Sequence, residues 1–529
     1  MLFTSYSFIG FVAAVLLLYY LIPKKFQWPL LLAASYIFYF FSGPENLVFI
    51  LITTAATYFI AIQIEKNILR QKAYIKEHKA EITREEKKAY KEGQKKIRVR
   101  WVLLSLAVDL GILAVCKYTN FFISNINGVI SAVGHGHQLS FVDLVLPMGI
   151  SFYTFQSVGY LIDVYRETVP AEKNFFRFAL FVSFFPQLVQ GPISRYSDLS
   201  ESLYAEHEYN SKTVSYGLER VLWGFFKKLV IADRLLPAVK LLINDLGTYN
   251  GVYVLFAIAL YAVQLYADFT GGIDITIGIA ESLGITVKEN FDRPYFSKSL
   301  KEYWRRWHIT MGTWFRDYIF YPLSICQWMQ KFSRFSRSHF GNAIGKRLPV
   351  YLSSFMVWFA TGFWHGASWN FILWGLFNWA VLMVSEEFEP LYDKFHKRFP
   401  CYKGNLVKAF QSFRTVFIVG LLHLFDLYTV QEAFKAFGSL FTAGNFHILW
   451  DGSLMNLGLT GLDYGIVILG VVLMFTVSFL QRKEKVRDRI SKLSYPKRFI
   501  IWYGLFLIVL LMGAYGVGYD SSQFIYNRF

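Results

Sequence analysis

Of 529 residues, 54% are apolar, 19% aromatic and only 17% charged. That balance excludes a water-soluble multidomain chain. No soluble core needs 53 Phe, 34 Tyr and 14 Trp, whereas helices packed in lipid with aromatic belts use them. The net charge of +17 does not indicate nucleic acid, because the basic residues gather in short segments between apolar runs, as the positive-inside pattern of a plasma or inner membrane requires.

The opening MLFTSYSFIGFVAAVLLLYYLIP lacks a basic n-region and a small-residue cleavage site, so it reads as a retained first span. Further apolar runs fall near 28–42 and 45–63, long enough with tilt to enter a hydrocarbon core. From Glu65 to Arg100 thirteen Lys/Arg face six Glu, and Glu/Lys pairs at i,i+4 spacing predict a charged helical hairpin over 65–100. Placing Lys24, Lys25 and this hairpin in the cytoplasm puts the N-terminus outside.

Apolar stretches continue near 101–124, 144–165, 175–193, 214–238 and 251–283. Two of them are irregular: LPMGISFYTFQSVGYLIDVY mixes Gly, Pro and polar residues into its apolar background, and FFPQLVQGPISR holds two prolines. Broken helices survive at membrane depth only where protein or a water-filled cavity covers them, so a cavity is expected. The last third carries runs near 351–363, 369–385, 413–428, 464–480 and 499–518. Between the final two, Gln481–Arg498 has eight Lys/Arg and two acids, which makes it cytoplasmic and puts the C-terminus outside. No internal repeat of the kind found in many transporters is visible.

Ionisable residues within membrane segments are candidates for function. The densest group is NFDRPYFSKSLKEYWRRWHITMGTWFRDYIFYPL, where His308 neighbours Trp307 and lies one helical turn from Trp304. Arg305, Arg306, Arg316 and Asp317 are close in sequence, and Glu302 can pair with Arg305 or Arg306. The plain alternative is an interfacial amphipathic helix. A second group, TGFWHGASWNFILWGLFNW, places His365 beside Trp364 and near Asn370 in an otherwise uncharged stretch. Burial there disfavours the imidazolium and leaves a neutral ring able to take a proton from a hydroxyl, with Gly366 and Ala367 leaving room for substrate. A hydrogen-bonded core histidine is the competing reading. Asp268 and Asp274, in LYADFTGGIDITIGIAESLG, would bind a cation, line a polar path or cap a broken helix. His135 and His137 in GHGHQLS make a weak H-x-H pattern, better read as an outer loop. Cys116, Cys326 and Cys401 form no paired motif, so neither a disulfide nor a metal site is expected.

WRRWHITMGTWFRDYIFYPL followed by WHGASWNFILWG resembles the membrane-bound O-acyltransferase family, in its bacterial branch of alginate O-acetyltransferase membrane subunits and D-alanyl transfer proteins. MLFTSYSFI, MGISFYTFQSVGYLIDVYR, FFPQLVQGPISR, NFDRPY and QFIYNRF follow in the family's order. The resemblance implies a single membrane domain over 1–529 with a catalytic segment at 290–385. Its fold would be all-α and polytopic, with roughly eleven or more spans plus broken and interfacial helices around a central funnel. It further implies that His365 is the catalytic histidine and that His308 faces the same tunnel, with Trp304, Arg305, Trp307, Arg316, Asp317, Trp364, Asn370 and Asp268 as tunnel or support residues. His365 would deprotonate the acceptor hydroxyl while His308 orients or polarises the acyl carbonyl. The expected donor is acetyl-CoA, with no permanently bound cofactor. The acceptor side would be an extracytoplasmic acetyltransferase or a glycan, with the enzyme in a bacterial inner or plasma membrane. D-alanyl transfer from an acyl carrier protein to teichoic acid is the alternative, and a transporter using a histidine proton relay a distant third. DFTGGID departs from the family's usual DFSGYSD-like stretch, and KFSRFSRSHFGNAIGKR is longer than the pattern.

Overall fold

Lipid offers no water to open backbone groups, so an apolar chain crosses it as helices or as a closed barrel. In the computed structural model, which describes residues 3–515 except 135, 145 and 400–403, every regular element is helical. Seven helices are long and apolar enough to cross a membrane: Pro44–Glu77, Arg84–Val133, Val252–Ser282, Trp369–Phe395, Asn405–Leu427, Gly461–Leu480 and Tyr495–Met512. Tyr6–Leu21 is a shorter apolar helix. The protein is an all-α polytopic integral membrane protein. Among the described residues some apolar runs read as spans are divided into shorter helices. The run near 175–193, for example, becomes Phe175–Ser183 and Phe185–Leu188. His135, Cys401 and the tail from 516 lie outside the described residues; Cys116 and Cys326 are free thiols.

By their contacts the described residues form two compact units, one running to Ser215 and including Ile279–Lys288, the other comprising Tyr216–Gly278 and everything from Glu289. In the first unit the charged stretch is the tip of a helical hairpin, Leu47–Glu77 followed by Arg84–Val133. Thr83 starts the second arm with a capping box to Glu86, which satisfies two of the amides left open at a helix start. Asn67 donates to Gln94 at 2.5 Å and Arg98 to Gln71 at 2.8 Å, forming polar rungs between the arms. The two irregular segments meet at Gly149. Its φ is +71°, and a Cβ there would lie 2.2 Å from the Leu188 carbonyl oxygen, so only glycine serves. Gln187 donates to the Pro192 carbonyl and the Ser194 hydroxyl, covering the non-helical turn beyond.

In the second unit, the helix ending at Phe225 widens into a π-helical turn over Phe226–Ala232 and packs on Val252–Ser282. Glycines allow the close approach. A Cβ on Gly224 would sit 2.6 Å from the Gly271 carbonyl oxygen, and one on Gly278 would sit 2.7 Å from that of Gly217. Small residues of this kind let membrane helices bring their backbones together. The two helices also carry a buried ion-pair cluster. Lys228 bonds Asp268 and Asp233, each at 2.7 Å, while Lys227 bonds Asp274 at 2.6 Å. Arg220 joins Asp274 at 2.8 Å and Glu289 at 2.5 Å. The π turn lets two consecutive lysines reach carboxylates six residues apart on the facing helix. Asp268 and Asp274 therefore hold resident ammonium and guanidinium groups, a pairing not anticipated among the cation-site, polar-path and helix-cap readings.

Replacing Lys228 with Met should remove the ammonium paired with the buried Asp268 and Asp233, at a cost of about 3–5 kcal/mol. The expected outcome is a large fall in the thermal midpoint of detergent-solubilised protein, followed by size-exclusion fluorescence. An unchanged midpoint would remove the cluster from any role in holding these helices together.

Candidate active site

His365 ends the helix Leu348–His365, and after a short extended turn the helix Trp369–Arg398 returns alongside it. Two glycines press the pair together. A Cβ on Gly362 would stand 2.4 Å from the Phe371 carbonyl oxygen, and one on Gly375 would stand 2.4 Å from that of Trp358. The space beside Gly366 is used internally, since a Cβ there would fall 2.0 Å from the Phe371 ring. Gly366 thus seats Phe371, contrary to the expectation that it makes room for substrate. Asn370 secures the returning helix by donating to the Phe425 carbonyl at 2.8 Å while accepting from Ser368 at 2.5 Å.

The second histidine lies at a break. The run 290–323 is not one interfacial helix but Leu300–Arg306, Ile309–Phe315, a π turn Arg316–Phe320 and Tyr321–Ile325. His308 sits between the first two pieces in the left-handed region at φ +47°, a conformation costly for a non-glycine residue unless its surroundings impose it. Asn290 imposes it. Its side-chain oxygen accepts from the Thr310 amide at 3.0 Å, the Thr310 hydroxyl at 2.8 Å and His308 Nδ1 at 3.2 Å, while its main-chain carbonyl accepts from the Ile309 amide at 2.9 Å.

The Thr310 amide can only donate, so the atom facing it is Oδ1, and His308 Nδ1 must then carry the proton. In the neutral ring Nε2 is an acceptor. With His308 only 1% exposed, burial disfavours the imidazolium. A neutral ring held this way has no proton at Nε2 to give to an acyl carbonyl, so the polarising role expected of His308 does not match its hydrogen bonding.

The two imidazoles converge on one indole. The Trp364 ring lies 6.2 Å from that of His308 and 5.0 Å from that of His365, edge-on to both. The histidines therefore stand within the sum of those two distances. Phe269 closes the other side of His308 at 5.0 Å, and its neighbour Asp268 belongs to the ion-pair cluster. Trp374 packs 4.7 Å from His365 and 5.5 Å from Trp304. Trp304 is anchored by donating to Asn378 at 3.1 Å. Trp307 is buried in a stack with Tyr303 and Tyr295, at 5.5 and 6.2 Å.

Arg305 is exposed, and Glu302 pairs with Arg306 at 2.6 Å. Arg316 bonds the adjacent Asp317 at 2.8 Å and lies over the Tyr321 ring at 6.0 Å, within the π turn. His137 is exposed, and among the described residues no cluster of three or more His, Cys, Asp or Glu has the makings of a metal site. Asn290 and Trp374 were not singled out from sequence. The asparagine's signal was its place at the head of NFDRPY, eighteen residues before His308.

Asn290→Ala should remove the acceptor for three hydrogen bonds and destabilise the protein by about 1–3 kcal/mol. Asn290→Asp keeps the acceptor oxygens but places a carboxylate at a fully buried position, so it should lose stability as well. Thermal midpoints of the two variants decide the point, and an alanine variant as stable as the native protein would show that the break at His308 holds itself.

The description of the membrane-bound O-acyltransferase family matches residues 166–425, a span that contains both histidines. The chain is 32% identical to the probable alginate O-acetylase of Pseudomonas syringae pv. tomato, over 92% of this chain and 83% of the relative. It is 29% identical to the peptidoglycan O-acetyltransferase of Helicobacter pylori, over 74% of this chain and 70% of the relative. The teichoic acid D-alanyltransferase of Bacillus subtilis is 28% identical over 50% of this chain and 65% of the relative. The chain belongs to the membrane-bound O-acyltransferase family and is an O-acyltransferase.

Proposed function

We propose that the enzyme moves an acetyl group from acetyl-CoA, presented on the cytoplasmic side of a bacterial inner or plasma membrane, to a hydroxyl on the outer side, in the O-acetylation of an extracellular or cell-wall polysaccharide. The observation that carries this reading is the pair of imidazoles packed on Trp364 where two helices break. In the reaction, the acceptor oxygen attacks the thioester carbonyl and forms the ester C–O bond as the C–S bond breaks. His365 takes the hydroxyl proton and returns it to the departing thiolate, which leaves as the free thiol. His308, also packed on Trp364, orients the acyl carbonyl for the attack. The immediate acceptor is the glycan or a hydroxyl of an extracytoplasmic partner that passes the acetyl group on. Lys24, Lys25, the 65–100 hairpin and Gln481–Arg498 support cytoplasmic placement of these segments by their charge, with both termini outside.

The relatives named as O-acetylases and O-acetyltransferases align over more of this chain than the D-alanyltransferases do, which favours acetyl over D-alanyl transfer. General-base catalysis contributes roughly 100- to 10,000-fold. His365→Ala should therefore lower acylation in cells by about that factor without loss of folded protein, measured as base-released acetate from the surface glycan. Undiminished release would refute the assignment.

The donor is checked separately. Acetyl-CoA should raise the thermal midpoint of the purified enzyme. Stable complex formation with an acyl carrier protein, without protection by acetyl-CoA, would instead establish the D-alanyl alternative.

A further inference from the structure

A third histidine is buried beyond this pair. His423 and Asp426 lie where Asn405–Leu422 gives way to the turn Leu424–Leu427, inside a candidate membrane span. His423 is 4% exposed, and the Asp426 carboxylate accepts from its Nδ1. Ionisable groups at such positions are costly and tend to persist where function uses them. Because a carboxylate only accepts, Nδ1 carries a proton, and Nε2 faces away from the pair. Among the described residues that buried atom has no hydrogen-bond partner.

Two more polar atoms in the neighbourhood share this condition, the Tyr303 hydroxyl and the Trp374 indole N–H. His423 packs edge-on against Tyr261 at 5.6 Å, and the Tyr303 hydroxyl is within electrostatic reach of both Tyr261 and Asp426. Trp374 shares a buried cluster with Leu424 and Phe425, which flank the histidine–aspartate pair. On its other side Trp374 meets His365. An imidazole nitrogen, a phenol and an indole N–H thus stand buried without hydrogen-bond partners among the described residues, and the indole packs on the proposed base.

Their chemistry selects a ligand. A hydroxyl donates and accepts at once, and so matches the set. We propose that His423, with Tyr303 and Trp374, binds a hydroxyl of the acceptor beside His365, while Asp426 orients the imidazole. The inference rests on the acyl-transfer reading of His365 and narrows its acceptor to a polyol. One hydroxyl is held by His423 while a neighbour on the same sugar-like skeleton is offered to His365. His423 takes no proton in the reaction.

The test uses the full-length enzyme in cells lacking their own copy, with base-released acetate from the surface glycan as the activity readout. Folded yield and thermal protection by acetyl-CoA are the controls. His423→Phe should reduce acetate release roughly tenfold, as expected for loss of one buried hydrogen bond to substrate, with both controls unchanged. His423→Gln, which keeps a polar end, should recover part of it. Native release from His423→Phe, or equal losses in the two variants, overturns the proposal. Should the phenylalanine variant fail to fold, Tyr303→Phe removes one hydroxyl and adds no volume, and native release there also overturns it. His365→Ala separates the two levels. If it still acylates, the acyl-transfer reading falls; if it is silent while His423→Phe is native, only the acceptor subsite falls.

Discussion

A helix broken in an apolar medium persists only if the backbone groups it frees find partners within the protein, and at the break carrying His308 that demand falls on Asn290. One side-chain oxygen collects the amide and hydroxyl of Thr310 and the proton of His308 Nδ1, and the asparagine's own carbonyl takes the amide of Ile309. The same interaction that makes the break tolerable also decides which nitrogen of the imidazole has a lone pair. Fold and chemistry meet in one amide group. The left-handed backbone of His308 is then a consequence of its setting, and it turns the ring toward Trp364 rather than along a continuing helix.

The remaining supports act on this arrangement from two sides. Glycine contacts draw the Leu348–His365 and Trp369–Arg398 helices together, so the turn between them holds His365 in a fixed place. The ion pairs of Lys227 and Lys228 fasten the Val252–Ser282 helix, whose Phe269 lies on His308. Buried charges contribute little net stability compared with apolar packing of similar shape. The pairings hold the helix segment that carries Phe269 against the two lysines.

Much of this was legible in the sequence. Apolar run lengths, the basic stretches and the Gly/Pro interruptions located the membrane helices, the charged hairpin and the broken segments, since those features depend on local composition. Both histidines were found because a titratable ring in a tryptophan-rich apolar run is rare. What was missed depends on pairing across the fold. Nothing local to Asn290 declares that it caps a helix starting nineteen residues later, and nothing in DFTGGID shows that a π turn brings Lys227 and Lys228 to its acids. Gly366 was misjudged for the same reason, since the ring that fills its space comes from Phe371 on the next helix. His423, in a plain apolar run, drew no notice before its aspartate partner was seen beside it.

The Arg84–Val133 helix has 50 residues, about 75 Å at 1.5 Å per residue, against a hydrocarbon layer of about 30 Å. Less than half of it fits within lipid at any ordinary tilt. The rest is a stiff arm in water, braced by its shorter companion and rich in lysine near the capped end. The brace joins polar rungs to a ring contact between Tyr74 and Tyr90 at 4.4 Å, so bending of the arm would have to break both kinds of contact at once.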